Sequence, residues 1–80
     1  MPEQRSPAHV AYGRAIRELR AERGISQEAL AHAADLDRTY VSGIERGLRN
    51  PSLTNLLKLA AALDVKVSEL AAKAETTTEQ

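Results

Sequence analysis

The stretch of residues 26–47, SQEALAHAADLDRTYVSGIERG, constrains the fold more than any other part of this 80-residue chain. Ser26 and Asp37 are residue types whose side-chain oxygens cap the start of a helix, and Gly47 is the type that most often follows the end of one. Between the two caps, Asp35 tolerates the left-handed backbone conformation that a tight turn requires. The stretch therefore predicts two short helices joined by a tight turn, one ending near residue 34 and one spanning residues 38–46.

The composition of the chain favours helices throughout. There are fourteen Ala and no Phe or Trp, and Ala, Leu, Arg and Glu are strong helix formers. No run of β-branched residues and no strict two-residue alternation is long enough to indicate a sheet. The predicted fold class is therefore all-α, with a single domain near the lower size limit at which one apolar core holds a fold without help.

Three further segments show the signals of helices. Apolar residues recur at helical spacing from Tyr12 to Leu19, within residues 8–23. Ser52 is placed to cap a fourth helix that ends near residue 63, and Ser68 a fifth over residues 69–74. We therefore predict a compact five-helix domain over residues 8–74, with residues 1–7 as a disordered arm and residues 75–80 as a disordered tail.

Several classes of protein are disfavoured by the sequence. The chain contains no cysteine, so it can form neither a disulfide nor a thiolate metal site. His9 and His32 lack neighbouring metal ligands, and no arrangement of Ser, His and Asp suggests a catalytic pocket. No segment approaches the roughly 18 apolar residues of a membrane span. We expect a cytoplasmic protein that is not an enzyme and that uses no metal, cofactor or membrane.

The formal net charge is zero, so the whole chain lacks the basic signature of nonspecific nucleic-acid binding. Residues 37–50 nevertheless contain three arginines, and the acidic residues among them are Asp37, the predicted cap, and Glu45. The outward surface of this segment is basic if both acidic side chains are used internally.

Residues 25–63 resemble the phage-repressor-type helix-turn-helix family, also called lambda-repressor-like or the xenobiotic response element family, and the similarity covers about residues 8–74. Asp35 departs from the family pattern, in which glycine is usual at the turn. Within the family, the run LDRTYVSGIERGLRNPS is most similar to the controller proteins of restriction-modification systems, which are small homodimeric transcription regulators. The matching positions are Gly24, Ser26-Gln27, Leu30-Ala31, Val41, Ile44-Glu45, Gly47, Pro51-Ser52 and Leu63.

The resemblance implies that the second helix of the motif lies in the major groove of DNA. Arg38, Thr39 and Ser42 are then the expected base contacts, with Arg38 foremost because a guanidinium can donate two hydrogen bonds to guanine. Gly43 has no side chain and would let the helix approach DNA closely. Tyr40 either packs or contacts DNA. Contacts to the sugar-phosphate backbone are expected from Gln27, Tyr40, Arg46, Arg49 and Asn50.

The resemblance also implies an internal ion pair between Arg20 and Glu45, as matching family members have. With Asp37 used as a cap and Glu45 paired, the outward surface of residues 37–50 would be basic although the chain is neutral.

The fourth helix carries a surplus leucine. A single face of about 120 degrees would hold Leu53, Leu56, Leu57, Ala60 and Leu63, whereas Leu59 falls roughly 40 degrees outside it. Either the fifth helix covers Leu59, or Leu59 belongs to an apolar patch that pairs two copies about a twofold axis, as the family pairs. We favour the second alternative, with a dimer interface formed by Leu59, Leu63, Val65, Val67 and Leu70.

Together these features predict a homodimeric, sequence-specific transcriptional regulator that binds double-stranded DNA. Its two recognition helices would enter successive major grooves, with half-sites about 10 base pairs apart. No small-molecule effector is expected, and a restriction-modification controller is the favoured role. The alternatives are a phage-like repressor, an antitoxin, and a helix-turn-helix module that binds a protein and not DNA.

Overall fold

A computed structural model describes residues 6–78, and every regular element among them is a helix. The five helices confirm the predicted all-α fold. They are α1 (Pro7–Arg23), α2 (Gln27–Ala34), α3 (Arg38–Glu45), α4 (Leu53–Ala62) and α5 (Val67–Thr78).

The ends of the central helices follow from local chemistry. The side chains of Ser26, Asp37 and Ser52 each accept a hydrogen bond from the backbone N–H two or three residues later, at 3.0, 2.7 and 3.1 Å. Asp35 ends α2 in the left-handed conformation, with φ of 59°. Because these signals act within one helical turn, the sequence alone places the turn between α2 and α3 correctly.

The first helix begins earlier than predicted. Ser6 caps it by accepting a 3.0 Å hydrogen bond from the backbone N–H of His9, and Pro7 occupies the first turn. Proline suits that position because its fixed φ is helical and its missing N–H has no helical partner there. The predicted arm is therefore wrong at Ser6 and Pro7, and its residues 1–5 lie outside the described residues.

The fifth helix is longer than predicted at both ends. It starts at Val67, so Ser68 lies inside it, and the Glu69 carboxylate accepts a 2.8 Å hydrogen bond from the backbone N–H of Lys66. It continues to Thr78, which corrects the tail predicted to begin at residue 75. The buried Ala74 extends the packed face of α5 and stabilises its later turns. Residues 79–80 lie outside the described residues.

The core lies where α1 packs against α3 and α5 and where α2 packs against α3 and α4. Truncating a buried leucine of such a core to alanine costs about 2–5 kcal/mol. The largest fully buried side chains are Ile16, Leu30, Val41, Ile44, Leu59, Leu63 and Leu70.

This core overturns most of the predicted dimer interface. Leu59, Leu63 and Leu70 are fully buried within one chain, so they cannot contact a second copy. Conversely, Leu53 and Leu57, which the sequence places on the main apolar face of α4, are 69% and 51% exposed. The inward face of α4 is rotated relative to the prediction because its neighbours α2 and α5 decide which leucines are covered.

A close helix contact fixes α1 against the end of α3. A Cβ atom at Gly13 would overlap the carbonyl oxygen of Ile44 and lie 2.9 Å from that of Glu45. Gly47, which has a φ of 76°, adds a second contact, because a Cβ there would lie 3.0 Å from a methyl group of Val10. The two glycines therefore allow α1 to lie close to the end of α3 and the residues that follow it.

Candidate nucleic-acid interface

The third helix separates its residues into two faces. Val41 and Ile44 are fully buried, whereas Arg38 and Thr39 are exposed at the first turn. Ser42 is half-buried, one turn after Arg38. Two of the three residues predicted to contact bases thus lie in the first turn of α3, and Ser42 follows one turn after Arg38.

Glu45 lies at the centre of a buried hydrogen-bond network. Its carboxylate accepts bonds of 2.7 and 3.0 Å from Nε and Nη2 of Arg20, and one of 2.9 Å from Nε2 of Gln27. Arg20 also donates a 3.0 Å bond to the carbonyl oxygen of Ile25. The Glu45 side chain is only 1% exposed and that of Arg20 is 18% exposed. The ion pair predicted between them is therefore present, and it joins α1, α2 and α3.

The electrostatics of this network favour the charged guanidinium. Hydrogen bonding to Glu45 raises the pKa of Arg20 above its ordinary value and outweighs the opposing effect of burial. A bidentate pair between a guanidinium and a carboxylate is also geometrically specific. The negative charge of Glu45 is thus neutralised inside the domain and does not face the surface of α3.

Gln27 starts α2 beside this network. Gln27 is predicted to contact the DNA backbone, and its side-chain Nε2 donates a hydrogen bond to Glu45. This bond orients the side chain at the N-terminus of α2. Sequence reasoning missed the link to Glu45, for which no local signal exists, because the two residues meet only when α2 packs on α3.

Tyr40 is half-buried and joins α3 to α4. It packs against the core, and its hydroxyl accepts a 3.0 Å hydrogen bond from Nδ2 of Asn55. The packing alternative therefore describes the observed position of the ring. Its contact with a DNA backbone stays a prediction.

Gly43 has a different role from the one predicted. It is buried, and a Cβ there would lie 2.5 Å from Cγ and 3.5 Å from Cβ of Arg49, whose side chain crosses it. The backbone N–H groups of Leu48 and Arg49 both donate to the Gly43 carbonyl oxygen, at 2.9 and 3.2 Å. The missing side chain therefore makes room for Arg49 and does not open the helix face.

The exposed side of α3 and its following loop is basic. Within residues 6–78, no acidic side chain pairs with Arg38, Arg46 or Arg49, all of which are exposed. Asp37 accepts a hydrogen bond as the cap of α3, and Glu45 is neutralised by Arg20. Arg46 donates from Nε to the carbonyl oxygen of Ser42 at 3.4 Å, and the adjacent Asn50 is exposed.

Residues 6–78 hold no group of three or more His, Asp or Glu residues that could bind a metal ion. No helix in this range is long and apolar enough to cross a membrane.

The chain is similar to known proteins in sequence and in fold. A family model described as helix-turn-helix matches residues 16–70. The chain is 48% identical over 62 residues to control protein C.MunI from a Mycoplasma species, covering 76% of this chain and 84% of that protein. The restriction-modification controller protein C.AhdI from Aeromonas hydrophila superposes with a TM-score of 0.76 at 56% identity, covering 78% and 94% of the two chains. The C.Esp1396I controller tetramer, solved with its natural 35 base-pair operator, superposes with a TM-score of 0.87 at 32% identity. The match covers 94% of this chain and 99% of that one.

Proposed function

The chain belongs to the helix-turn-helix family, and we propose that it is a transcriptional regulator that binds a specific DNA operator as a homodimer. The observation that carries the proposal is the exposed face of α3, where Arg38, Thr39 and Ser42 lie together. Of the nearby acidic residues, Glu45 is buried in an ion pair with Arg20, and Asp37 caps α3. A neutral chain therefore presents a locally basic surface to the negatively charged duplex.

Base contacts would come from the start of α3. Arg38 can donate two hydrogen bonds to guanine O6 and N7, and Thr39 can contact a thymine methyl group. Ser42, one turn after Arg38, can reach a base directly or through water. Phosphate contacts, which fix the position of α3 without carrying sequence information, would come from Gln27, Tyr40, Arg46, Arg49 and Asn50.

The role we propose is that of a restriction-modification controller. The similar proteins C.MunI and C.AhdI are a control protein and a restriction-modification controller, and this chain spans 84% and 94% of their lengths. Binding, with no covalent step, accounts for such a role, and operator occupancy would follow the concentration of the protein and not a small-molecule effector. We expect it to act in the cytoplasm, where its operator would lie.

The surface that pairs two copies would lie on α4. Leu53 and Leu57 are one turn apart and exposed, and Ala61 continues the exposed stripe by another turn. A second copy of the same face is the occupant that fits, because apolar stripes cover each other about a twofold axis. Val65 and Val67 are half-buried and remain candidates for its edge. The C.Esp1396I controller is a tetramer on its operator.

The dimer surface is tested by sedimentation at tens of micromolar. We expect the wild type to sediment as a dimer and the L53K/L57K variant as a folded single chain, because two lysines in each stripe would repel each other. Lys58→Ala, which changes an exposed residue of the same helix, should leave the dimer intact. A wild type with the mass of one chain would contradict the homodimer.

The function itself is tested by selecting bound sequences from a pool of random duplexes. We expect one twofold-symmetric sequence with half-sites about 10 base pairs apart. If repeated selection enriches no sequence, the protein is not a sequence-specific regulator.

A further inference from the structure

The first helix carries charges of opposite sign on two sides. Glu18 and Glu22 both face α5, where Nζ of Lys73 lies 3.6 and 3.2 Å from their carboxylates. Arg14 and Arg17 are exposed, and no acidic side chain within residues 6–78 pairs with either. The acidic side chains of α1 are thus drawn toward α5, and the two arginines are left without a counter-charge.

Arg14 and Arg17 line a surface cleft between α1 and the end of α3. The cleft has a volume of about 240 Å³ and is otherwise lined by Val10, Glu45 and Arg46. Glu45 contributes no free negative charge, because its carboxylate is 1% exposed and is bound by Arg20. An anion that entered the cleft would meet the side chains of three arginines, none of them paired with a carboxylate within residues 6–78.

The backbone segments on the two sides of the cleft pack closely together. Gly13, next to Arg14, brings α1 into contact with the Ile44 and Glu45 carbonyl groups, and Val10 packs against Gly47. This close packing sets the separation between the backbone segments that carry Arg14 and Arg46.

The cleft is continuous with the exposed face of α3. Arg46 belongs to both, because it lines the cleft and its Nε donates to the carbonyl oxygen of Ser42, one of the predicted base contacts. The cleft therefore adjoins the face of α3 that we propose binds DNA.

We infer that the cleft formed by Arg14, Arg17 and Arg46 binds a phosphate of the DNA backbone, so that α1 contributes to the DNA interface from outside the helix-turn-helix motif. The inference rests on the proposed function. Guanidinium groups make short, charge-assisted hydrogen bonds to phosphate oxygens. Such a contact strengthens binding to every sequence and leaves the sequence preference unchanged.

The experiment compares the salt dependence of DNA binding by the wild type and by R14A/R17A, on the selected operator and on a random duplex. One lost phosphate contact lowers the slope of log affinity against log salt by about 0.9. We expect that loss on both duplexes, with an unchanged selected sequence and unchanged thermal unfolding. R14K/R17K, which keeps the charge, should retain most of the slope.

The matched control is Arg23→Ala. Arg23 lies on the same helix, away from the cleft, with Nη1 3.6 Å from the Asp64 carboxylate. We expect its removal to leave the slope near the wild-type value. An equal loss of slope with Arg23→Ala would show only a general effect of charge and would contradict a phosphate contact in the cleft.

A wild-type slope in R14A/R17A, with specific binding intact, would overturn this inference and leave the proposed function standing. A wild type that selects no sequence and binds no duplex would overturn both.

Discussion

Two arginines, one beside each end of α3, lie in opposite environments: Arg20 of α1 and Arg38 of α3. Near the C-terminal end of α3, Arg20 is largely buried and makes two hydrogen bonds to Glu45 and one to a backbone carbonyl group. At its N-terminal end, Arg38 is exposed, and no carboxylate within residues 6–78 pairs with it. The same type of side chain therefore stabilises the fold at Arg20 and is available to a ligand at Arg38.

The contrast shows that the placement of carboxylates, and not the number of arginines, decides which surface is basic. Glu45 is placed inside, Asp37 caps a helix, and Glu18 and Glu22 face Lys73. A chain with zero formal net charge can therefore present one basic side.

The largest effect should come from disrupting the buried ion pair between Arg20 and Glu45. Glu45→Ala removes the acceptor of Arg20 and Gln27 and leaves a mostly buried guanidinium unpaired. We expect the free energy of unfolding to fall by about 3–5 kcal/mol, measured by denaturant titration. Glu75→Ala, at an exposed position, is the control and should stay within about ±0.5 kcal/mol. A change that small for Glu45→Ala would mean that the pair does not hold the helices together.

A smaller effect, on binding and not on folding, should come from the exposed end. Arg38→Ala should weaken binding to the selected operator by about 1–3 kcal/mol, which is roughly 5- to 160-fold. Unfolding should change by no more than about 0.5 kcal/mol, since the side chain is exposed. Mobility shifts and thermal melts measure the two quantities. Strong destabilisation, with binding by the folded fraction unchanged, would reverse the contrast between the two ends.

The smallest effect concerns Gly43, between the two ends. Gly43→Ala forces Arg49 to move, while alanine gains up to about 1 kcal/mol of helix propensity, so the net change in stability should be small. Because Gly43 acts through Arg49, G43A/R49A should bind DNA no more weakly than Arg49→Ala alone. Losses that add in the double variant would show that Gly43 contributes to binding independently.

Features set within one helical turn could be predicted from the sequence. The caps at Ser26, Asp37 and Ser52 and the left-handed turn at Asp35 depend on residues two or three positions away. The start of α1 could also have been inferred, because the Ser6-Pro7 pair is a sequence signal of a helix N-terminus.

Features set by the packing of helices could not be predicted from the sequence. Which leucines of α4 are buried depends on where α2 and α5 lie, so the surplus leucine, Leu59, belongs to the core and Leu53 to the surface. The role of Gly13 also has no local sequence signal, because the carbonyl groups that a side chain there would strike belong to the distant residues Ile44 and Glu45. The basic face of α3 was predictable only through a resemblance that paired Arg20 with Glu45.

The most direct test of the central claim, that the exposed face of α3 determines sequence specificity, pairs a protein change with a DNA change. In the selected operator, one guanine at a time is replaced, and the ratio of affinities is measured for the wild type and for Arg38→Ala. At one guanine in each half-site, we predict that the wild type discriminates by 1–3 kcal/mol, about 5- to 160-fold, and that Arg38→Ala does not. Equal discrimination by both proteins at every guanine would contradict the assignment of Arg38 as a base contact.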